Sequence, residues 1–337
     1  MIMNWRKCDT IVGVLGDHSL DKDYIGSYGI AMSREKDGMG IFDTKETSYT
    51  GGGAGNIVDL LQEWGVRVLP CGVWNPLEDD NSKKLYNIWM EGFVNSKHMI
   101  LGNGTPAYVK YYTDIGEHIF RANEVIEPPI MKVQHELVRH IQCLSEEVDI
   151  LIVADYDENG EGILTPLILN AIREYITCPI IGMSRQRISL LKGLNGTIIL
   201  DEEELINHTG SKLTLDRISR IYSLFMMTKA KEILLTLRGV GAALYNKPNH
   251  IDNTHYSDIK ETLVRSQEAG GEINTCGCGD TFVAAYTICY SSGMDSISAI
   301  KRANAAARVQ CYKTNGARVI SNQEWDSEYN LLYGEEK

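Results

Sequence analysis

The stretch INTCGCGDTFVAAYTICYSSG, Ile273 to Gly293, joins a turn of small residues to an uninterrupted apolar run. Gly277 and Gly279 flank Cys278, and Asp280 follows; Thr281 to Tyr290 is apolar at helical spacing, without Gly or Pro. A glycine turn that runs into a helix start leaves backbone N–H groups unpaired and pointing outward. The helix dipole adds partial positive charge there, so the turn is an anion site in waiting. Asp280 stands at the junction, where a carboxylate either caps the helix or takes a proton from a substrate hydroxyl. The residues alone leave both roles open.

Working outward, the chain has 337 residues, enough for one large α/β domain or two modest ones. The formal net charge of −12 and the lack of a Lys/Arg cluster argue against nucleic-acid binding, which needs a basic face. Eight cysteines form no CxxC pair. Cys71, Cys143, Cys178, Cys289 and Cys311 lie in apolar runs and read as buried free thiols, as in a reducing compartment. Cys276 and Cys278 lack partner ligands at metal-site spacing. The start, MIMNWRKCDT, does not read as a signal peptide, and IVGVLG is too short to span a bilayer, which points to the cytoplasm.

In chain order, Ile11 to Leu15 reads as a buried strand ended by Gly16, with Asp17 and Asp21 where it emerges. In open α/β sheets that edge holds ligands, although two solvated loop acids would look the same. Tyr24 to Tyr49 reads as a small sheet or a flap. Thr50 to Asn56 (TGGGAGN) is a second glycine turn entering a helix, since Ile57, Val58, Leu60, Leu61 and Trp64 share one face. No apolar strand precedes it, so the context of a dinucleotide fingerprint is missing. Gly52 and Gly53 instead let a substrate approach the backbone, with Asn56 offering both a donor and an acceptor. Further strands are expected at Val66 to Val73, Asp149 to Ala154, Pro179 to Met183, Thr197 to Leu200 and Glu232 to Leu237, and a hairpin at Ala107 to Arg121. Helices are expected at Leu85 to Val94, before Leu144, and at Leu167 to Tyr175, Ser211 to Thr228 and Ser296 to Tyr312. Asn246 to Gly271 stays unassigned, and the tail from Asn322 reads as polar. The alternation implies a mostly parallel sheet covered by helices on both faces.

Three motifs in this order, GDHSLD at Gly16 to Asp21, GGGAGN at Gly51 to Asn56 and TCGCGDTF at Thr275 to Phe282, resemble the PfkB, or ribokinase-like, family of sugar kinases. Within it, GDHSLDKDYIG, the TPAYVKYY segment, the ADY of Ala154 to Tyr156 and the late Ala303 to Ala307 helix look most like the heptose-7-phosphate kinase branch. The resemblance implies a single ribokinase-like three-layer α/β/α domain over residues 1–337, with a β-sheet lid from about 22–50 and 103–124. It implies an ATP- and Mg²⁺-dependent kinase of a sugar or sugar phosphate. Asp280 would be the general base, and the amides of Gly277, Cys278, Gly279 and Asp280 the anion hole. Asp17, Asp21 and Asn56 would hold sugar hydroxyls. Lys110 and Arg121 match lid positions for a sugar phosphate, exposed surface charge being the plainer alternative. Thr236, Gly241 and Asn304 fall where the family lines its nucleotide pocket. Such lids often pair between subunits, so a homodimer is expected.

The chain departs from the family pattern at several places. The NxxE motif becomes Asp201 to Glu204, keeping Glu204 to act on Mg²⁺ indirectly. The branch's DPK becomes Met183-Ser184-Arg185, with Arg185 or Arg187 in the lysine's place, and Asp157 to Glu161 replaces the Lys after the DY pair. Asn274 stands where relatives with a monovalent-cation site carry Asp. These changes support a rival reading: a catalytically silent nucleotide- and sugar-binding protein on the same fold. A nicotinamide oxidoreductase is a more distant alternative.

Overall fold

A computed structural model describes residues 9–30, 40–157, 162–194, 196–210, 216–247, 258–270, 274–313 and 320–334. Its strands are β1 (Ile11–Gly16), β2 (His18–Ile30), β3 (Gly40–Gly53), β4 (Arg67–Trp74), β5 (His98–Leu101), β6 (Ala107–Thr113), β7 (His118–Glu124), β8 (Ile150–Asp155), β9 (Ile180–Ser184), β10 (Gly196–Asp201), β11 (Glu232–Thr236), β12 (Gly241–Asn246) and β13 (Glu261–Arg265). The helices are α1 (Ala54–Glu63), α2 (Asp80–Glu91), α3 (Met131–Ser145), α4 (Pro166–Tyr175), α5 (Glu202–Thr209), α6 (Arg217–Thr228), α7 (Cys278–Ser291), α8 (Ser296–Cys311) and α9 (Asn322–Tyr333).

Among the described residues, nine strands form the main sheet in the order β13-β12-β11-β10-β9-β8-β1-β4-β5. From β11 to β5 every pairing is parallel; β12 and β13 are added antiparallel. Side chains alternate across a strand, and β8 shows the result. Ile150 and Ile152 pack into a core with Ile57 and Leu61 of α1, Phe282 and Tyr286 of α7, Ala303 of α8 and Trp325 of α9. Leu151 and Val153 pack on the opposite face with Leu137 of α3, Ile172 of α4, Leu205 of α5 and Phe225 of α6. Both faces of the strand are therefore apolar, as a parallel sheet between two helix layers requires. The three-layer, mostly parallel α/β/α fold expected from the sequence is present.

A second, four-stranded sheet has the order β3-β2-β6-β7. It grows out of the first: β2 leaves β1 across the single residue Asp17, and β3 runs directly into α1. The described parts of the Tyr24 to Tyr49 segment, residues 24–30 and 40–49, are thus sheet, residues 31–39 lying outside the described residues, and a strand does precede the glycines of α1, though one of polar character. Helix starts follow local capping chemistry. Thr165 caps α4 ahead of Pro166, Asp295 accepts from two amides of α8, and Asp201 closes a capping box with Glu204 at α5.

Some assignments need correcting. α2 begins at Asp80, earlier than the Leu85 expected, because Asp79 caps it. The polar tail from Asn322 is helix α9, which buries Trp325 against Trp64 with ring centroids 4.6 Å apart. β13 lies inside the unassigned Asn246 to Gly271 stretch, whose residues 248–257 are outside the described residues. Cys143 is exposed, and Cys178 and Cys311 are half-buried, so only Cys71 and Cys289 of the five keep the burial expected of them.

Candidate active site

The turn that opens α7 is built as its sequence suggests. Gly277 occupies the capping position with a left-handed φ of 75° and no side-chain cap. Cys278 N reaches Thr275 O at 3.3 Å, and Thr281 N makes the first regular bond, to Gly277 O at 2.9 Å. A Cβ placed on Gly279 would meet open space, so this part of the helix start is open to approach. Asp280 lies in the first turn but does not cap it. One carboxylate oxygen accepts from Asn56 Nδ2 at 2.7 Å and the other from the Tyr156 hydroxyl. Asn56 belongs to the first turn of α1, so the two glycine turns meet at one carboxylate.

Asp17 and Asp21 are not solvated loop acids. Asp17 joins β1 to β2, and its carboxylate accepts from Tyr156 N at 3.1 Å and Ile163 N at 2.9 Å. Burial, reinforced by the nearby Asp155 charge, raises its pKa to about 7. Asp21 sits within β2, 6% exposed, and takes a 2.6 Å ion pair from Lys110 Nζ. Burial raises the Asp21 carboxyl, with Lys110 pulling the other way. Burial would lower the Lys110 ammonium, but Asp21 and then the Cys276 sulfur, 3.3 Å from Nζ, carry it above its ordinary value.

The glycines are needed here for space. A Cβ on Gly52 would sit 2.5 Å from Asp21 Oδ1 and 2.6 Å from Ser19 Oγ. Both of those oxygens are buried without a hydrogen-bond partner. Gly53, with φ 54°, would bring a Cβ to 2.7 Å from Asp17 O. The result is a wall of small residues with two unsatisfied oxygens beside it, suited to a polyhydroxy ligand.

Lys110 is therefore buried and paired, whereas Arg121 on β7 is exposed, stacked 4.1 Å over the Tyr108 ring and bonded to Asn123 Oδ1 at 2.6 Å. A pocket of about 100 Å³ opens between this small sheet and the main one, lined in part by Asp17, Tyr108, Asn123, Glu124 and Tyr156.

The parallel register of β8 with β9 (Asp155↔Ser184) and of β10 with β11 (Asp201↔Thr236) aligns the remaining candidates along the carboxyl edge. Arg187 is committed to a buried pair with Asp155 and bonds Asp157 at 2.9 Å. Arg185 instead lies 5.3 Å from the centre of the Tyr156 ring, near Asp280 and Glu204. It is the better placed of the two for an incoming anion. Burial raises Glu204 to about 7, against the Asp201 amide that its carboxylate accepts at 3.0 Å.

Thr236 bonds Leu200 O at 3.4 Å, and Gly241, with φ 119°, starts β12 where a Cβ would collide with Val264 O. Asn304 is buried and donates to Val264 O and the Tyr333 hydroxyl, both at 3.2 Å. It stands beside a cleft of about 460 Å³ lined by residues that include Val264, Arg265, Ser266, Lys301 and Tyr333. Asp280 and Asn56 meet directly and Asp21 lies close by, while Asn304 is turned toward α9.

The sequence reading assigned no role to Tyr156 or Ser19. Tyr156 is 3% exposed; burial, then Asp280, hold its hydroxyl well above the ordinary tyrosine value, so it is a hydrogen-bond donor. Its position directly after β8, in the ADY quoted above, was the available signal. Residues 158–161 of the Asp157 to Glu161 replacement lie outside the described residues.

Among the described residues no group of three or more His, Cys, Asp or Glu is arranged to hold a metal ion. A divalent cation would fit only as Mg²⁺ usually does, through water and substrate phosphates with Glu204 at a distance. The uncapped start of α7 and the open space at Gly279 suit a polyphosphate. No described helix is long and apolar enough to cross a membrane.

No family model matches the chain. Over 326 residues it is 24% identical to the bifunctional protein HldE of Helicobacter hepaticus, covering 92% of this chain and 62% of that protein. Over 317 residues it is 24% identical to the HldE of Desulfatibacillum aliphaticivorans, covering 91% and 60%. The chain thus spans about three-fifths of the length of these relatives. Among solved structures, the ribokinase of Arabidopsis thaliana, complexed with ribose and ATP, matches with a TM-score of 0.67 and 16% identity, over 95% of this chain and 98% of that one. Phosphofructokinase-2 of Escherichia coli, in complex with potassium, matches with a TM-score of 0.71 and 15% identity, over 96% and 98%. The chain has the ribokinase-like fold of these sugar kinases and, along nine-tenths of its length, is similar in sequence to the bifunctional HldE proteins.

Proposed function

We propose that this chain is an ATP- and Mg²⁺-dependent kinase of a sugar phosphate, with a heptose phosphate as the favoured acceptor. The observation that carries the reading is Asp280 at the open start of α7, oriented by Asn56 and Tyr156. An aligned carboxylate beside an anion-binding helix start is what phosphoryl transfer needs, because positioning and charge stabilisation supply most of the catalysis. Asp280 takes the proton of the acceptor hydroxyl. The amides of Gly277 to Asp280 hold the charge that develops as the γ-phosphoryl of ATP transfers, with Arg185 beside them. Ser19, Asp21 and Asn56 orient the sugar against Gly52 and Gly53, and Asp17 holds Tyr156 in place. Arg121, exposed on β7, faces an anionic group on the sugar while Lys110 balances the buried Asp21 charge, and Thr236, Gly241 and Asn304 belong to the nucleotide side.

The choice of a heptose phosphate rests on the sequence likeness to HldE. The small sheet acts as the lid, excluding water on closure. Its exposed Tyr28, Ile41 and Phe120 suit a homodimer paired through the lid. The silent-binder alternative has less in its favour, since a binding protein has no chemical use for a doubly oriented carboxylate at the helix start.

The test is ADP release from Mg·ATP across free sugars and sugar phosphates, seven-carbon ones included, with Asp280→Asn in parallel. Stimulation by a sugar phosphate that disappears in the variant is the expected result. ATP binding without stimulation by any acceptor would leave the silent binder as the better description.

A further inference from the structure

Cys278 is the first residue of α7 and Cys311 the last of α8, and their sulfurs lie 3.3 Å apart. The two helix ends are held together by other bonds: Asn274 N donates to Cys311 O at 2.9 Å, and Gln310 Nε2 to Cys276 O at 3.2 Å. Both thiols are half-buried rather than enclosed. Reaching a disulfide's ~2.05 Å separation takes little more than an ångström of movement.

We propose that Cys278 and Cys311 are a thiol modification site that closes into a reversible disulfide across the start of α7. Cys311 is the attacking thiol: with the Cys278 sulfur 3.3 Å away to donate a hydrogen bond and Arg308 nearby, its thiolate is favoured, whereas the same contact and burial hold Cys278 protonated. The oxidant is hydrogen peroxide. The Cys311 thiolate attacks the distal peroxide oxygen, the O–O bond breaks, and the departing oxygen leaves as water after taking a proton. The resulting sulfenic acid is attacked by the Cys278 sulfur, which loses its proton and expels a second water as the S–S bond forms. Two thiols and one peroxide become one disulfide and two waters, the sulfur pair giving up the two electrons that the peroxide gains. A dithiol reverses it by exchange.

Cys276 is the nearby competitor, but its sulfur faces Lys110. The functional consequence rests on the kinase reading above: the cross-link ties Cys278, within the anion-holding turn, to the end of α8, so the turn's amides no longer adjust around a phosphate.

The experiment treats the full chain with hydrogen peroxide, blocks free thiols with N-ethylmaleimide, and maps peptides without reduction. A Cys278–Cys311 peptide pair, lost after dithiothreitol and absent from Cys311→Ser, is expected. Recovery of both residues as maleimide adducts, or pairing of Cys278 with Cys276 instead, overturns the proposal. ADP release in the same samples reads the consequence separately: turnover lost on oxidation and regained with dithiothreitol, with Cys311→Ser keeping its turnover throughout. Unchanged turnover in a fully cross-linked sample overturns the functional part. Because the map needs no catalysis, its outcome does not depend on the kinase reading.

Discussion

Asn56 and Asp280 stand 224 residues apart in the chain, yet a 2.7 Å hydrogen bond joins the first turns of their two helices. Asp280→Asn keeps the shape and removes the proposed base. Turnover should fall by roughly 10²- to 10⁴-fold while the melting temperature stays close to wild type. Asn56→Ala should mainly raise KM and lower kcat less, because it removes orientation rather than the base. Steady-state kinetics paired with thermal unfolding check both, and an Asp280→Asn enzyme of near-normal rate would sink the mechanism.

Lys110→Met leaves the Asp21 carboxylate buried beside Gly52 without its cation. Removing one partner of a buried pair costs about 3–5 kcal/mol. The cost should shrink as pH falls, because protonation of Asp21 removes the uncompensated charge. Urea unfolding at mildly acidic and mildly alkaline pH measures this; a variant as stable as wild type at both would show that the pair contributes little.

Asp17 and Glu204 titrate near 7 when folded, against ordinary values of 3.8 and 4.5. A folded state that binds protons more tightly than the unfolded chain is favoured at low pH. Their contribution is therefore fully present below about pH 4, declines as pH rises, and levels off above about pH 7. Asp17→Asn should flatten this slope, by on the order of 4 kcal/mol at most for a three-unit shift. Unfolding free energies between pH 5 and pH 8, on the order of three points per variant, decide it; parallel curves for the two proteins would contradict the assignment.

Gly52→Ala pushes a methyl group against Asp21 Oδ1 and Ser19 Oγ. The expected result is a folded protein with sugar KM raised by about tenfold or more, since about 1.4 kcal/mol of lost binding suffices for that. Isothermal titration with the best acceptor separates this from a loss of nucleotide binding.

How much of this was legible in the sequence differs from element to element. β1 and β8 were readable because a strand buried on both faces is a continuous apolar run with no competing pattern. The turn at Gly277 to Asp280 was readable because glycine spacing and an apolar helix coincide there. α9 was hidden: its charged residues outnumber those it buries, and what holds it is Trp325 against Trp64, a contact no local pattern announces. The burial of Lys110 was hidden likewise, because a lysine on an alternating strand of the small sheet looks exposed until β6 is placed beside β2. Tyr156 shows the same limit, since a tyrosine after a strand gains its meaning only from a carboxylate 124 residues later.

The small sheet has a mechanical consequence. β2 carries Asp21 near its root, and β3 ends in Gly51 to Gly53 and passes straight into α1 and Asn56. The sheet is also fastened at its base, where Lys22 and Asn81 both hold Glu124, at 2.7 Å and 2.9 Å. Its two longest strands thus run without a break in the chain to the wall of small residues proposed to face the ligand. A tilt of the sheet would be carried along these two strands, past the register shift at Ile25 and Gly26, to Asp21 and Gly51 to Gly53, the residues proposed to grip a sugar.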